Sequence, residues 1–301
     1  MFFRPDRLIT LGLVHPLRRL GLRSREYRMP ILMYHSISDG PEHARNPYYW
    51  TRTKPAIFAE QMAFLHAQGY QAVTLKTGMD RLRAGTAEQT KTVVLTFDDG
   101  LGDFHTTAHP ILLQYNFKAT MFLPTAFIGE TRRQFAPNAS SRFTPLDSRF
   151  TTHCLTWPEI RELHQQGIEF GSHTVNHPEL VKLDWPAIKT ELTDSKAEIE
   201  QQLGTAVQSF AYPYAFPSAN RTFVETFINL LRELRYNFNV TTQIGQVRSL
   251  DESLALKRLP VNSADDSLLI GAKIRGAYDW IQKLQFSLKV LKQASRLASP
   301  I

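Results

Sequence analysis

Val93-Val94-Leu95-Thr96-Phe97-Asp98-Asp99-Gly100 is the stretch on which the fold turns. A short apolar, β-branched run ends in two carboxylates and a glycine. Such a run reads as a strand covered on both faces, the pattern of a buried parallel sheet. Its polar residues emerge where the strand stops, which is where barrels of parallel strands place their chemistry. Neighbouring strand residues point to opposite sides, so Asp98 and Asp99 need not share a role. A plain turn is the competing reading, because Asp and Gly commonly end strands. The surrounding sequence has to decide between them.

Outward from that stretch, short apolar runs alternate with helical periodicities. Ile31 to His35, Tyr70 to Leu75, Ala119 to Leu123, Gly167 to Ser172, Gln208 to Tyr212, Tyr236 to Val240 and Leu254 to Val261 read as further strands. Helices are expected over 57–67, 79–83, 107–115, 157–166, 185–203 and 218–234. Thr156 and Glu159 form a capping box with Pro158 in the first turn, and Asp184 is placed to cap the helix after it. Residues 128–153 break the rhythm with a polar, basic stretch that contains Arg132, Arg133, Asn138, Ser140, Ser141, Arg142 and Arg149. The alternation predicts parallel βαβ units in an α/β fold. Seven or eight units suggest a distorted (β/α)7-8 barrel, with a doubly wound open sheet as the alternative. No Gly-rich phosphate-binding pattern is present.

The chain has 301 residues, 43% hydrophobic and 21% charged, enough for one large domain. No window approaches the roughly 18 unbroken apolar residues of a membrane span. The lone Cys154 excludes an intrachain disulfide framework. The short apolar run Leu8 to Val14 leads directly into His15-Pro16-Leu17-Arg18-Arg19, a poor match to a secretory signal. The net charge of +7 thickens at the two ends. Arg4, Arg7, Arg18, Arg19, Arg23, Arg25 and Arg28 open the chain, and Lys283, Lys289, Lys292 and Arg296 close it, all interleaved with apolar residues. This composition fits a helix lying on an anionic membrane surface as well as an ordinary amphipathic helix. No nucleic-acid motif accompanies the charge, and no nucleic-acid partner is expected.

Ser172-His173-Thr174-Val175-Asn176-His177 follows one predicted strand end, Phe210-Ala211-Tyr212-Pro213-Tyr214 a second, and Tyr34-His35 a third. Two imidazoles four residues apart can converge on one ion. With a carboxylate they form a three-ligand set that leaves a position open for water.

Thr96-Phe97-Asp98-Asp99-Gly100 together with His173-Thr174-x-x-His177 resembles the polysaccharide deacetylases of carbohydrate esterase family 4, the NodB-homology domain. Pro30-Ile31-Leu32-Met33-Tyr34-His35 is similar to the branch that includes poly-N-acetylglucosamine deacetylases. The resemblance spans residues 30–262, with a basic segment 1–29 before it and a basic, amphipathic helical tail 263–301 after it. It implies a distorted barrel of the NodB-homology type, a divalent metal (zinc first, cobalt or nickel as alternatives), and removal of an N-acetyl group from an amino sugar. By resemblance, Asp99, His173 and His177 hold the metal and Asp98 is the base. His35 is the acid, and the backbone N–H at Tyr214, after Pro213, serves the oxyanion. Tyr34, Pro213 and Trp157 are the candidates for substrate binding, Tyr34 and Trp157 as the floor of a sugar site, with core packing as the default for the two aromatics. Family members often carry an Arg where Ala211 stands, and Arg258 is a conceivable replacement, with a surface ion pair as its default expectation. A catalytically silent glycan-binding protein of the same fold is the alternative function. The expected substrate is a glycan or a lipid- or nucleotide-linked amino sugar. The expected location is the cytoplasm, peripheral on the inner face of the membrane.

Overall fold

The computed structural model describes residues 4–19, 27–40, 46–136, 152–282 and 284–287. The strands are β1 (Ile31–Tyr34), β2 (Ser36–Ile37), β3 (Arg52–Thr53), β4 (Gln71–Val73), β5 (Thr92–Phe97), β6 (Thr120–Leu123), β7 (Glu169–Ser172), β8 (Ser209–Ala211), β9 (Phe238–Ile244) and β10 (Leu256–Pro260). The main helices are α1 (Pro5–Ile9), α2 (His15–Arg19), α3 (Pro55–Ala67), α4 (Leu75–Arg83), α5 (His109–Gln114), α6 (Trp157–Gln165), α7 (Trp185–Leu203), α8 (Arg221–Glu233) and α9 (Ser267–Ile274).

Seven parallel strands close a ring in the order β1, β10, β9, β8, β7, β6, β5 and back to β1. β1 closes it, pairing with β10 on one edge and with β5 on the other, Ile31 opposite Val94 and Tyr34 opposite Phe97. β4 pairs with the first half of β5, Gln71 to Val73 against Thr92 to Val94, whereas β6 takes the second half at Thr96 and Phe97. The ring is therefore distorted where β4 wedges in, and again where a bulge interrupts β9 and β10 between Leu256 and Arg258. This is the barrel that the alternation predicts.

Alternation along the strands sorts side chains between two cores. One set, Ile31, Val94, Phe122, Ala211, Val240 and Leu256, clusters with Leu75, Met79 and Leu82. These strand residues form the lower barrel interior, and α4 plugs the barrel's amino-terminal end. Gly78 on α4 lies so close that an added Cβ would overlap Val94 Cγ2. The other set, including Leu32, Leu95, Phe97, Met121 and Phe170, packs outward against the helices. All six residues of β5 are buried because both faces are covered.

The local signals account for the helix ends. Thr156 and Glu159 make the reciprocal capping box of α6, and Asp184 Oδ1 accepts the Ala187 N–H to start α7. Caps of this kind contribute about 1 kcal/mol each. α4 begins at Leu75, four residues earlier than its periodicity suggests, because Thr74 caps it. The polar stretch 128–153 is ordered where described. Gly129 bridges to Thr156, Gln134 to His153, and Cys154 to Leu101. Expectations resting on Arg23, Arg25, Asn138, Ser140, Ser141, Arg142, Arg149, Lys283, Lys289, Lys292 and Arg296 lie outside the described residues.

Candidate active site

Asp98 and Asp99 follow β5 at the carboxyl end of the ring. Asp98 continues the inward alternation of Val94 and Thr96, and its amide N–H donates to the Tyr34 carbonyl at 3.1 Å. Strict alternation would send Asp99 outward. Its left-handed backbone, φ 72°, turns the carboxylate back toward the barrel mouth. Oδ1 of Asp99 then lies 3.5 Å from His173 Nε2 and 3.4 Å from His177 Nε2.

The histidine loop is built to hold that geometry. His173 follows β7, and its Nδ1 lies 2.7 Å from the Ala211 carbonyl. Nδ1–H donates there, which leaves Nε2 facing Asp99. Thr174 and His177 are left-handed, φ 71° and 53°. The Thr174 hydroxyl donates to the His173 carbonyl and accepts the His177 amide N–H, closing the turn. Glu191 on α7 accepts the amide N–H groups of Val175 and Asn176 at 2.8 and 2.9 Å and the Asn176 side chain at 2.7 Å. Of seven left-handed non-glycine residues among the described ones, four are Asp99, Thr174, His177 and Tyr214. Backbone strain concentrated in one place points to function.

The donor set fits a divalent cation. Ligands about 2.1 Å from one tetrahedral ion stand roughly 3.4 Å apart, which is the spacing from Asp99 to each imidazole. His177 Nδ1 is buried without a hydrogen-bond partner among the described residues, although such an orphan is costly. Asp99, His173 and His177 are the group of potential ligands whose donor atoms converge. Burial, reinforced by the charge of His173, pulls His177 down to about 4, so its imidazole is neutral at neutral pH. Burial also opposes charge on His173, but its hydrogen bond with Asp99, the charges of Asp98 and Asp99 and the Ala211 carbonyl together outweigh that and raise its pKa. Burial alone would raise Asp99, yet His173, His35 and His177 hold its carboxyl far below the usual range.

Arg258 decides the state of Asp98. It rises from β10 through the barrel interior and is fully buried. Its Nη1 and Nη2 donate to Oδ1 and Oδ2 of Asp98 at 2.7 and 2.8 Å. Nη1 also reaches Thr96 Oγ1, and Nε donates to the Thr241 carbonyl. Burial pushes the Asp98 carboxyl up, but the guanidinium overrides it and holds the pKa below the ordinary value. Two of the carboxylate's four lone-pair positions remain for other partners. His35 Nε2 stands 3.9 Å from Asp98 Oδ2 at the partly open mouth. The expectation of a surface ion pair for Arg258 is thereby overturned.

Two other expectations are corrected. Tyr34 is wholly buried, stacks on Phe97 with centroids 5.3 Å apart, and donates to Gln61 Oε1 at 3.0 Å. Trp157 is 3% exposed in the core beneath α6. Both are packing residues: Tyr34 points outward from β1 into the helix layer, and Trp157, the first residue of α6, is buried in that same core. Pro213 is buried in the turn after β8. Tyr214 is half-buried, with its ring 4.6 Å from His177, and Phe135 lies on another side of the same imidazole at 5.5 Å. Thr242 Oγ1 pins that turn by donating to the Tyr214 carbonyl and accepting the Phe216 amide N–H. Glu191 and Phe135 carry no local sequence signal, since neither neighbours a motif.

A closed parallel barrel with paired carboxylates and two imidazoles at its carboxyl end is the class that fold and site define. The family model for polysaccharide deacetylase matches residues 85–238. The chain belongs to the polysaccharide deacetylase family. It is 29% identical over 247 residues to YxkH of Bacillus subtilis (strain 168), named as a candidate polysaccharide deacetylase, covering 82% of this chain and 76% of that one. It is 30% identical over 154 residues to the poly-β-1,6-N-acetyl-D-glucosamine N-deacetylase of Escherichia coli (strain K12). That match covers 48% of this chain and only 20% of the E. coli protein. Among solved structures, the Streptococcus pyogenes deacetylase PplD in complex with acetate superposes with a TM-score of 0.65 at 26% identity. The superposition covers 83% of this chain and 99% of that one.

Proposed function

We propose that this protein hydrolyses the N-acetyl group of an N-acetylhexosamine in a glycan or glycoconjugate, releasing acetate and a free amine. The observation that carries this reading is the convergence of Asp99, His173 and His177 beside an Asp98 held ionised by Arg258. Asp99, His173 and His177 would hold a divalent cation, zinc first and cobalt or nickel as alternatives. Bound there, the cation supplies Lewis acidity toward an acetamide carbonyl and a water molecule. Asp98 removes the water's proton as the carbonyl carbon is attacked. The Tyr214 backbone N–H stabilises the developing oxyanion. His35 then gives a proton to the departing amine. The acetate in the S. pyogenes deacetylase structure and the name of the E. coli relative support this class of reaction.

The substrate is read as a lipid- or nucleotide-linked amino sugar, modified in the cytoplasm at the inner membrane face. The basic, apolar ends of the chain motivate that reading. An acetate-release screen over free, lipid-linked and nucleotide-linked N-acetyl sugars tests it, using protein stripped by chelator and reloaded with zinc, cobalt or nickel. Turnover restored by one metal on an N-acetylhexosamine is expected. Metal-loaded protein inactive on every sugar would overturn the reading.

A further inference from the structure

The amino-terminal helix is inside out. The chain runs helically from Pro5 to Arg19, with a wide turn at Thr10–Val14 joining α1 to α2. Over residues 5–17 the exposed positions are Pro5, Leu8, Ile9, Gly12, Leu13, Pro16 and Leu17. None is polar. Leu8 and Leu13 are 61% and 58% exposed. The polar residues of the same run turn toward the protein instead. Arg4 pairs with Asp265, Asp6 accepts from the Tyr278 hydroxyl, Arg7 makes a two-point contact with Asp266, and the Trp280 indole N–H donates to Thr10 Oγ1. A helix on the surface of a globular protein in water normally has the opposite arrangement.

The apolar face is wider than the helix. Leu268, at the start of α9, is 69% exposed, and Leu11 lines a groove with it. Leu284 and Phe286 add 50% and 46% exposed apolar surface on the carboxyl-terminal segment that Tyr278 and Trp280 tie to the helix. Exposed apolar surface on this scale marks an interaction site.

Charge identifies the occupant. Directly after Leu17 the sequence holds Arg18, Arg19, Arg23 and Arg25, with no acidic residue from 18 to 25. Residues 288–301 hold Lys289, Lys292 and Arg296, again with no acidic residue. A solvent-facing apolar stripe flanked by arginines matches an anionic lipid surface, where the stripe enters the acyl boundary and the cations meet headgroups. No described helix is long and apolar enough to cross a membrane, so the contact is a surface one. We propose that the face carrying Leu8, Ile9, Leu13 and Leu17 docks this protein onto an anionic phospholipid bilayer.

The test uses the full chain and vesicles without sugar substrate, so its outcome is separate from that of the deacetylase reading. Flotation compares phosphatidylcholine vesicles with vesicles containing one quarter phosphatidylglycerol. Wild-type protein is expected to float with the anionic vesicles and at least tenfold less with neutral ones. Leu13→Glu with Leu17→Glu should lower binding at least tenfold while leaving the thermal melt unchanged. Leu13→Trp is the variant that survives if the charged pair fails to fold. The fluorescence of its new indole should shift to the blue on anionic vesicles and be quenched by brominated acyl chains. Wild-type protein that stays out of both vesicle types overturns the proposal. So does a Leu13→Trp emission that vesicles leave unmoved, or a Leu13→Glu, Leu17→Glu chain that changes only from dimer to monomer.

Discussion

The two halves of the barrel interior are lined by the same strands and built to opposite rules. In the lower half, Ile31, Val94, Phe122, Ala211, Val240 and Leu256 meet the apolar face of α4. In the upper half, alternation along the same strands presents Thr96 and Asp98 from β5, Arg258 from β10, and His173 after β7. A two-residue step along a strand separates Val94 from Thr96 and Leu256 from Arg258. The floor gains stability from apolar contact and tolerates no extra volume. The ceiling places charge in a dry interior, which is sustained only when each charge meets a partner. The floor fixes where the strands end, and the ceiling uses those ends.

The comparison breaks most completely at the base. Asp98→Asn keeps the shape of the ceiling but cannot accept a proton. Acetate release is expected to fall by about 10²- to 10⁴-fold. A variant that keeps a tenth of wild-type turnover would remove Asp98 from that role.

Arg258→Met tests whether the ceiling is held by pairing. It leaves the buried Asp98 carboxylate uncompensated, at a cost of roughly 3–5 kcal/mol in denaturant unfolding. Adding Asp98→Asn should restore part of that loss, a coupling that a double-mutant cycle measures. The pH dependence follows the sign of the shift. Asp98 sits below its ordinary value in the folded state. Its ionisation therefore stabilises the fold above the unfolded carboxyl value of about 4. That contribution is lost as pH falls through the lower folded value. Arg258→Met should flatten this acid limb, and an unchanged limb would show that the pair is not its source.

On the floor, Gly78→Ala presses a methyl group against Val94. It should destabilise the fold by about 1–3 kcal/mol and leave turnover unchanged at temperatures where the variant stays folded. A catalytic defect in folded Gly78→Ala would show that the halves are not separable. Smallest of all, Tyr34→Phe removes one hydroxyl from the outer core and its bond to Gln61. Roughly 1 kcal/mol of stability is expected to be lost, with KM for an amino-sugar substrate unmoved. A tenfold rise in KM would return Tyr34 to the sugar site.

Much of this architecture is legible locally. The apolar run of β5 announces a strand buried on both faces, and Thr156 with Glu159 announces the start of α6. Each signal is carried by hydrogen bonds and periodicities within a few residues. The His173–His177 pair is readable as potential ligands because its spacing lies within a single turn of chain, whereas Asp99 is named as the third ligand by the family resemblance. Arg258 is not readable in this way. It meets Asp98 across 160 residues, and only closure of the ring by β1 brings β10 and β5 close enough for a bidentate contact. Tyr34 and Trp157 look like sugar-stacking aromatics beside a motif, yet the direction of each side chain is set by packing between barrel and helices. The same holds at the amino terminus. Its sequence shows arginines among leucines, but the tertiary contacts of Arg4, Asp6, Arg7 and Thr10 decide which face turns inward.

The sequence by itself determined the alternating α/β pattern, the stretch Thr96 to Gly100 as a strand end, and the two imidazoles able to converge on a cation, with Asp99 added to them by the family resemblance. Only the tertiary structure decided what keeps Asp98 ionised and which aromatics are core. It also decided that the helix over residues 5–17 turns its leucines outward. The physical reason is range. Propensity, capping and alternation act between neighbours in the chain, whereas desolvation and charge pairing depend on what the closed barrel brings together.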